Sequence, residues 1–282
     1  MRTNERLRNS YKYRTILLLF VILIVNGCGP SIKTPSMSEM LPKFSPPSKP
    51  IANNQWLDAE RVVIISHIPQ TIAMAHEKPN QAAAFLGHTI FMGGLVGYFL
   101  TEPKDVSSQY QVEVAKRMPD FQKHLRTKLE EAVNSRRNKP VVSVGGPLKY
   151  RDDFVLKSSD SVLEANCLPF LATDEQGKHF LEVMLIWDLV ANGLKYRELS
   201  DKLEATNADW QARRKNIHEH VAAQKQIMAQ YDGEGYFFYK SPPHTREEWL
   251  GNNVELIQQE MNRGIESVVS QLVYVLFPGK RG

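Results

Sequence analysis

The chain has 282 residues, with 35 lysines and arginines against 31 aspartates and glutamates, and two cysteines. Five of the basic residues and one acidic residue fall within residues 1–27, so the rest of the chain carries 30 of each and is neutral. Nothing in that balance suggests a nucleic-acid footprint, which would need a clustered basic face. Beyond residue 55 about 230 residues remain, enough to bury one sizeable core.

The chain opens on a basic arm, with Arg2, Arg6, Arg8, Lys12 and Arg14 against Glu5. An uncharged apolar run follows over 16–25. It is shorter than the roughly 20 residues that a bilayer-spanning helix needs. A basic arm, a short apolar core and a small-residue exit are the layout of an export signal. The exit is Val25-Asn26-Gly27-Cys28. It resembles the bacterial lipobox, in which a cysteine after a small residue is diacylated before cleavage. The resemblance implies a lipoprotein signal peptide over 1–27 and a lipidation site at Cys28, which would then be the first mature residue. Palmitate-type chains contribute about 0.8 kcal/mol per buried CH2, so two or three of them anchor firmly. Gly29, next in line, lacks the aspartate that retains enteric lipoproteins at the inner membrane. The implied location is the outer membrane, facing the periplasm. With Cys28 acylated, Cys167 has no partner for an intrachain disulfide and reads as a small buried hydrophobe.

Residues 28–55 read as a lipidated tether. Pro30, Pro35, Pro42, Pro46, Pro47 and Pro50 forbid a helix, and proline-rich chain extends at about 3.1 Å per residue. One domain, 56–282, follows. Residues 61–68 form a continuous apolar run of strand type, closed by Pro69. The segment 82–101 carries no charged residue apart from His88 and reaches membrane-spanning length, with Gly93 and Gly97 at the small-residue spacing of packed membrane helices. Its glycines and His88 favour a buried helix or loop within the domain instead.

Two helices are expected over 107–118 and 120–137, separated by Pro119. Phe121, Leu125, Leu129, Ala132 and Val133 make the apolar stripe of the second. Arg136, Arg137 and Lys139 suit its carboxyl end, where cations complement the helix dipole. Strands follow at 141–144 and 161–173, then a turn over 174–177. Residues 180–190 are apolar on both alternating faces in their middle, as in a central strand. Asn192-Gly193 is the strongest hairpin signal in the chain.

Residues 198–230 read as a charged helical insertion. Leu203, Trp210, Ile217 and Tyr231 recur at heptad spacing, interrupted by Arg214 and Gln224, as in an arm that meets a partner. The same pattern also suits a helix laid on its own domain. His218-Glu219-His220 is not a metal motif, because residues two apart on a helix point in different directions. Residues 236–240 read as a strand. Thr245 and Glu248 have capping-box spacing, opening a helix that runs to about residue 276 with Ile257, Met261, Ile265, Val268, Leu272 and Leu276 in its stripe. Gly264 costs that helix up to about 1 kcal/mol against alanine unless close packing uses it.

This order of elements predicts an α/β domain of α+β type, in which a mixed or antiparallel sheet carries packed helices, including a long amphipathic C-terminal one. The tail from Tyr236 to Pro278 (an aromatic strand, Ser241-Pro242-Pro243, Trp249 and the long helix) resembles the tails of a broad class of bacterial lipoproteins. Their domain is similar to the amino-terminal domain of the Tol system's propeller protein and to the curli secretion lipoprotein. That resemblance implies the fold and an envelope location, and it carries over no functional residue.

No nucleophile elbow, zinc-helix motif or phosphate-cradling glycine loop is present in the sequence. Asp152-Asp153 and His76-Glu77 read as isolated loop pairs. No catalytic, cofactor-binding or metal-ligating residue is therefore assigned, and no cofactor is expected. The expected function is a non-catalytic interaction or structural component of a cell-envelope assembly. Its partners would be the membrane, through the lipid on Cys28, and an envelope protein or further copies of the chain. The alternatives are an oligomeric pore or secretion-channel component and an enzyme whose site is assembled from scattered residues.

Overall fold

A computed structural model describes residues 51, 55–69, 72–74, 108–146, 154–174, 176, 178–213, 217–251 and 255–277. Cys28, most of the tether and the 82–101 segment lie outside them. In chain order the elements are a 3-10 turn at Gln55–Asp58, β1 Arg61–His67, β2 Ala73–Met74, α1 Ser108–Asn134 and β3 Val141–Gly145. There follow β4 Asp160–Thr173, β5 His179–Val190, α2 Gly193–Arg213, α3 Ile217–Met228, β6 Gly233–Lys240, α4 Arg246–Leu250 and α5 Glu255–Leu276.

The strands form a mixed sheet in the order β3-β1-β4-β5-β6, with β2 also pairing with β4. β1 lies parallel to both neighbours, with Val62 opposite Val141 on β3 and Ser161 on β4. Both of its faces are buried, which is why its sequence is an unbroken apolar run. β4 and β5 are antiparallel, joined where the Asp174 carboxylate accepts from the backbone N–H groups of Gln176 and Lys178. β6 closes the sheet antiparallel to β5. Pro169 stands inside β4, between the residues paired with β1, which end at Asn166, and those paired with β2, which start at Phe170. Its missing N–H falls in that gap.

Two helical layers sandwich the sheet. α1 and α5 pack on each other and on one face, burying Phe121, Leu125, Leu129, Ile257, Met261, Ile265, Val268 and Leu272 against Leu163, Val183, Leu185 and Trp187. On the other face Tyr196, Leu199 and Leu203 of α2 and Tyr231 close over Val63, Ile65, Val162 and Val190. Burying a large apolar side chain contributes about 1.5–3 kcal/mol, so these two layers hold the domain together. Ile51 packs on the edge of the first core. The tether's end is thereby seated on the domain.

Four local expectations are corrected. Pro119 does not divide α1, which continues through it. The proline is exposed, while Met118 and Phe121 beside it are buried, so packing of the apolar stripe outweighs one lost backbone hydrogen bond. Asn192-Gly193 makes no hairpin. Asn192 instead caps α2, its Oδ1 accepting from Lys195 N and its carbonyl from Tyr196 N. The single heptad seam over 198–230 is replaced by two helices, α2 and α3, that pack on each other. The terminal helix is likewise two: the Thr245–Glu248 capping box starts the short α4, and α5 begins at Glu255. Gly264 in α5 does meet close packing, against Val183 and Tyr239.

Candidate functional site

Among the described residues, the cysteine and the histidine that ends β1 sit apart from one another's chemistry. Cys167 is completely buried in the first core, and burial pushes its thiol up to about 12, so it stays protonated and unreactive at neutral pH. Burial lowers His67, favouring its neutral form. No three histidines, cysteines or carboxylates among the described residues stand together as a metal site. Asp152-Asp153 and His76-Glu77 lie outside the described residues.

Besides ion pairs such as Arg61–Asp160 and Arg263–Glu260, charged side chains gather at two further places among the described residues. The first is an open cleft of about 550 Å³ beyond the carboxyl end of α1, lined by Gln55, Leu57, Asp58 and the run Arg136, Arg137, Asn138, Lys139. Because α1 ends at Asn134, these cations are not the last turn of a helix, as their spacing suggests, but a connection leading into β3. Each is held by a neutral partner. The Arg136 guanidinium lies 5.5 Å from the ring centre of Phe277, which itself packs on Trp56. Arg137 donates through Nη2 to the Ala59 carbonyl at 2.9 Å, and Lys139 through Nζ to the Asp58 carbonyl at 2.6 Å. Nε and Nη1 of Arg137, and Nε of Arg136, are enclosed without an acceptor. Burial lowers the affinity of Arg137 for its proton, and the nearby Asp58 charge offsets this in part. Three cations thus face one carboxylate, without an ion pair to it, in a concave surface. Chemically, that arrangement can hold an anion.

The second place is a row of carboxylates across the sheet, on the face that α2 covers. Glu164 on β4 stands opposite Asp188 on β5, and Asp188 opposite Glu234 on β6. Adjacent strands lie about 4.8 Å apart, so the three acids are direct neighbours. Glu164 accepts from the Tyr196 hydroxyl at 2.6 Å and from Asn166 Nδ2 at 2.9 Å. Asp188 keeps an enclosed Oδ1 without a donor. Burial first, and then the charges of Glu164 and Glu234, hold the Asp188 carboxyl well above the usual carboxylate range. Tyr196 and Tyr231 are raised as well, by burial and by the same acids.

Neither place was assigned from the sequence. The cleft joins residues some 80 positions apart, and its only local signal was three cations in four residues ahead of Pro140. The row depends on strand register, and Asp160, Glu182 and Lys240 on the same strands give Glu164, Asp188 and Glu234 no distinction in the sequence. The chain matches no family model, no curated protein and no solved structure.

Proposed function

We propose that this chain is a lipoprotein of the bacterial envelope, anchored through acyl chains on Cys28 at the outer membrane, with its α/β domain in the periplasm. There the domain serves as a non-catalytic interaction component of an envelope assembly. The observation that carries the reading is the order of parts in residues 1–28: basic arm, short apolar run, then Val25-Asn26-Gly27-Cys28. Supporting it, two of the reactive groups of the described fold are committed to structure. Cys167 is sealed in the core, and Glu164 is tied to Tyr196 beneath α2.

Two measurements test it. In cells fed labelled palmitate, the chain should take up label, and Cys28→Ser should lose both label and processing. Unchanged labelling of that variant sinks the anchor. For the assembly, the native mass of the full-length protein gently extracted in detergent should exceed that of a monomer. A bare monomer that co-purifies with nothing would move the reading towards a transient binder or an enzyme.

A further inference from the structure

We infer that the cleft formed by Gln55, Leu57, Asp58 and residues 136–139 is a phosphate-binding site, with the phosphate of an anionic phospholipid headgroup or a soluble phosphate as its ligand. The geometry is that of a prepared anion site. Arg136 is oriented by the Phe277 ring, Arg137 by the Ala59 carbonyl and Lys139 by the Asp58 carbonyl. These partners orient the cations without neutralising them, and among the described residues Asp58 is the one carboxylate lining the cleft. Holding cations in fixed positions removes much of the ordering cost that a flexible surface lysine carries on binding. Arg137, whose Nε and Nη1 are enclosed and whose Nη2 is held by the Ala59 carbonyl, adds positive charge, while the Arg136 guanidinium and the Lys139 ammonium group suit a compact anion with several oxygens. A cleft of about 550 Å³ falls in the range of small-ligand pockets.

The cleft's position bears on the source of the phosphate. Its 3-10 wall, Gln55–Asp58, follows directly on the tether, whose end is fixed where Ile51 packs on the core. Ile51, the described residue of the tether ahead of that wall, packs against Gly233 and Trp187 on β6 and β5. If Cys28 carries lipid, as proposed above, the tether's reach of roughly 3.1 Å per residue keeps the cleft within range of the bilayer. Anion binding itself does not depend on the anchor, so the two readings fail separately.

The test uses the full-length protein in dodecyl maltoside, which has no phosphate. Inorganic phosphate, dihexanoyl phosphatidylglycerol and dihexanoyl phosphatidylcholine are titrated in turn, at constant ionic strength set with chloride. Thermal midpoint and tryptophan emission are read, since Trp56 lies buried behind the cleft's wall, against the Phe277 ring on which Arg136 rests. Saturable binding of phosphate or phosphatidylglycerol is expected, with a higher midpoint as ligand accumulates. Arg136→Met and Lys139→Met should each weaken it at least tenfold, and Lys123→Met, on exposed α1 surface, should leave it unchanged. Phosphatidylglycerol at least tenfold tighter than both inorganic phosphate and phosphatidylcholine assigns the site to a lipid headgroup. Equal or tighter binding of inorganic phosphate assigns it to a soluble ligand. The proposal is overturned if the unmodified protein saturates with neither, or if Lys123→Met weakens binding as much as the cleft variants. The titration of the unmodified protein decides even if a variant does not fold.

Discussion

Tyr196 on α2 donates its phenolic hydrogen to Glu164 on β4 across 2.6 Å, tying the first turn of the helical insertion to the middle of the sheet. The bond forms where burial raises the tyrosine's affinity for its proton, so the hydroxyl stays a donor throughout the physiological range. Tyr196→Phe would keep the ring in its apolar contacts and remove only the donor. A hydrogen bond to a charged acceptor contributes about 1.5–3 kcal/mol. Urea unfolding should therefore show a loss of about that size. Unaltered stability would mean that Glu164 is satisfied without Tyr196.

Asp188 makes the opposite case, a carboxyl that costs stability. Its folded-state affinity for the proton is raised, by burial and by Glu164 and Glu234 on either side. Tyr196 and Tyr231 face the same row. Because the folded value lies above the unfolded one, the folded state binds the proton more tightly. Its stabilising effect is complete below the ordinary aspartate value of about 4 and is lost as pH rises from there through the folded value. Asp188→Asn has no proton to lose and can donate to a neighbouring carboxylate. At neutral pH the variant should unfold at a higher temperature than the parent protein, and the gap should narrow towards pH 4. Equal midpoints at pH 5 and pH 8, in parent and variant alike, would show that Asp188 titrates normally.

How much of this was legible in the sequence follows from the range of each interaction. β1 and β5 were visible because burial on both faces imposes a pattern within a single strand. The capping box was visible because its partners lie three residues apart. Asn192-Gly193 misled because the same pair serves two roles. An asparagine beside glycine can turn a hairpin, yet its side chain can also accept from the first N–H groups of a helix. Only the chain beyond decides, and here it supplies Tyr196 and Leu199 to bury. Pro119 misled for a related reason, since a local penalty was weighed without the packing of Met118 and Phe121. The carboxylate row was out of reach because it exists only once Glu164, Asp188 and Glu234 are brought into register.

Gly264 sets helix propensity against packing. In an exposed helix, replacing glycine by alanine gains up to about 1 kcal/mol. Here a Cβ would stand 2.5 Å from Cγ2 and 2.9 Å from Cβ of Val183, a fully buried branched residue in the interior strand β5. Neither atom is the far end of a flexible chain, so α5 would have to lift from the sheet. Forcing an extra methyl into such a core costs about 1–3 kcal/mol. Gly264→Ala should therefore be destabilising, and pairing it with Val183→Ala should restore part of the loss relative to Val183→Ala alone. A stabilising Gly264→Ala would show that the two layers are not in contact at this point.

Asn192 begins the helix that covers the carboxylate row, so its cap can be tested apart from that row. Its Oδ1 accepts from Lys195 N at 3.0 Å, satisfying one of the unpaired N–H groups at the start of α2. The neighbouring Gly193 lets the chain pass close to the turn that leads into β4, since a side chain there would stand 2.6 Å from the Lys157 carbonyl. Asn192→Ala removes the cap and leaves that approach intact. The expected loss is about 0.5–2 kcal/mol, with Asn192→Asp retaining most of the stability because its carboxylate can accept the same bond. Hydrogen exchange localises the effect: amides in the first turn of α2 should exchange faster in Asn192→Ala, and those of β1 should not. If the residues 233–240 of β6 lost protection together with α2, the insertion and the edge strand would open as one unit, and the cap would be holding both.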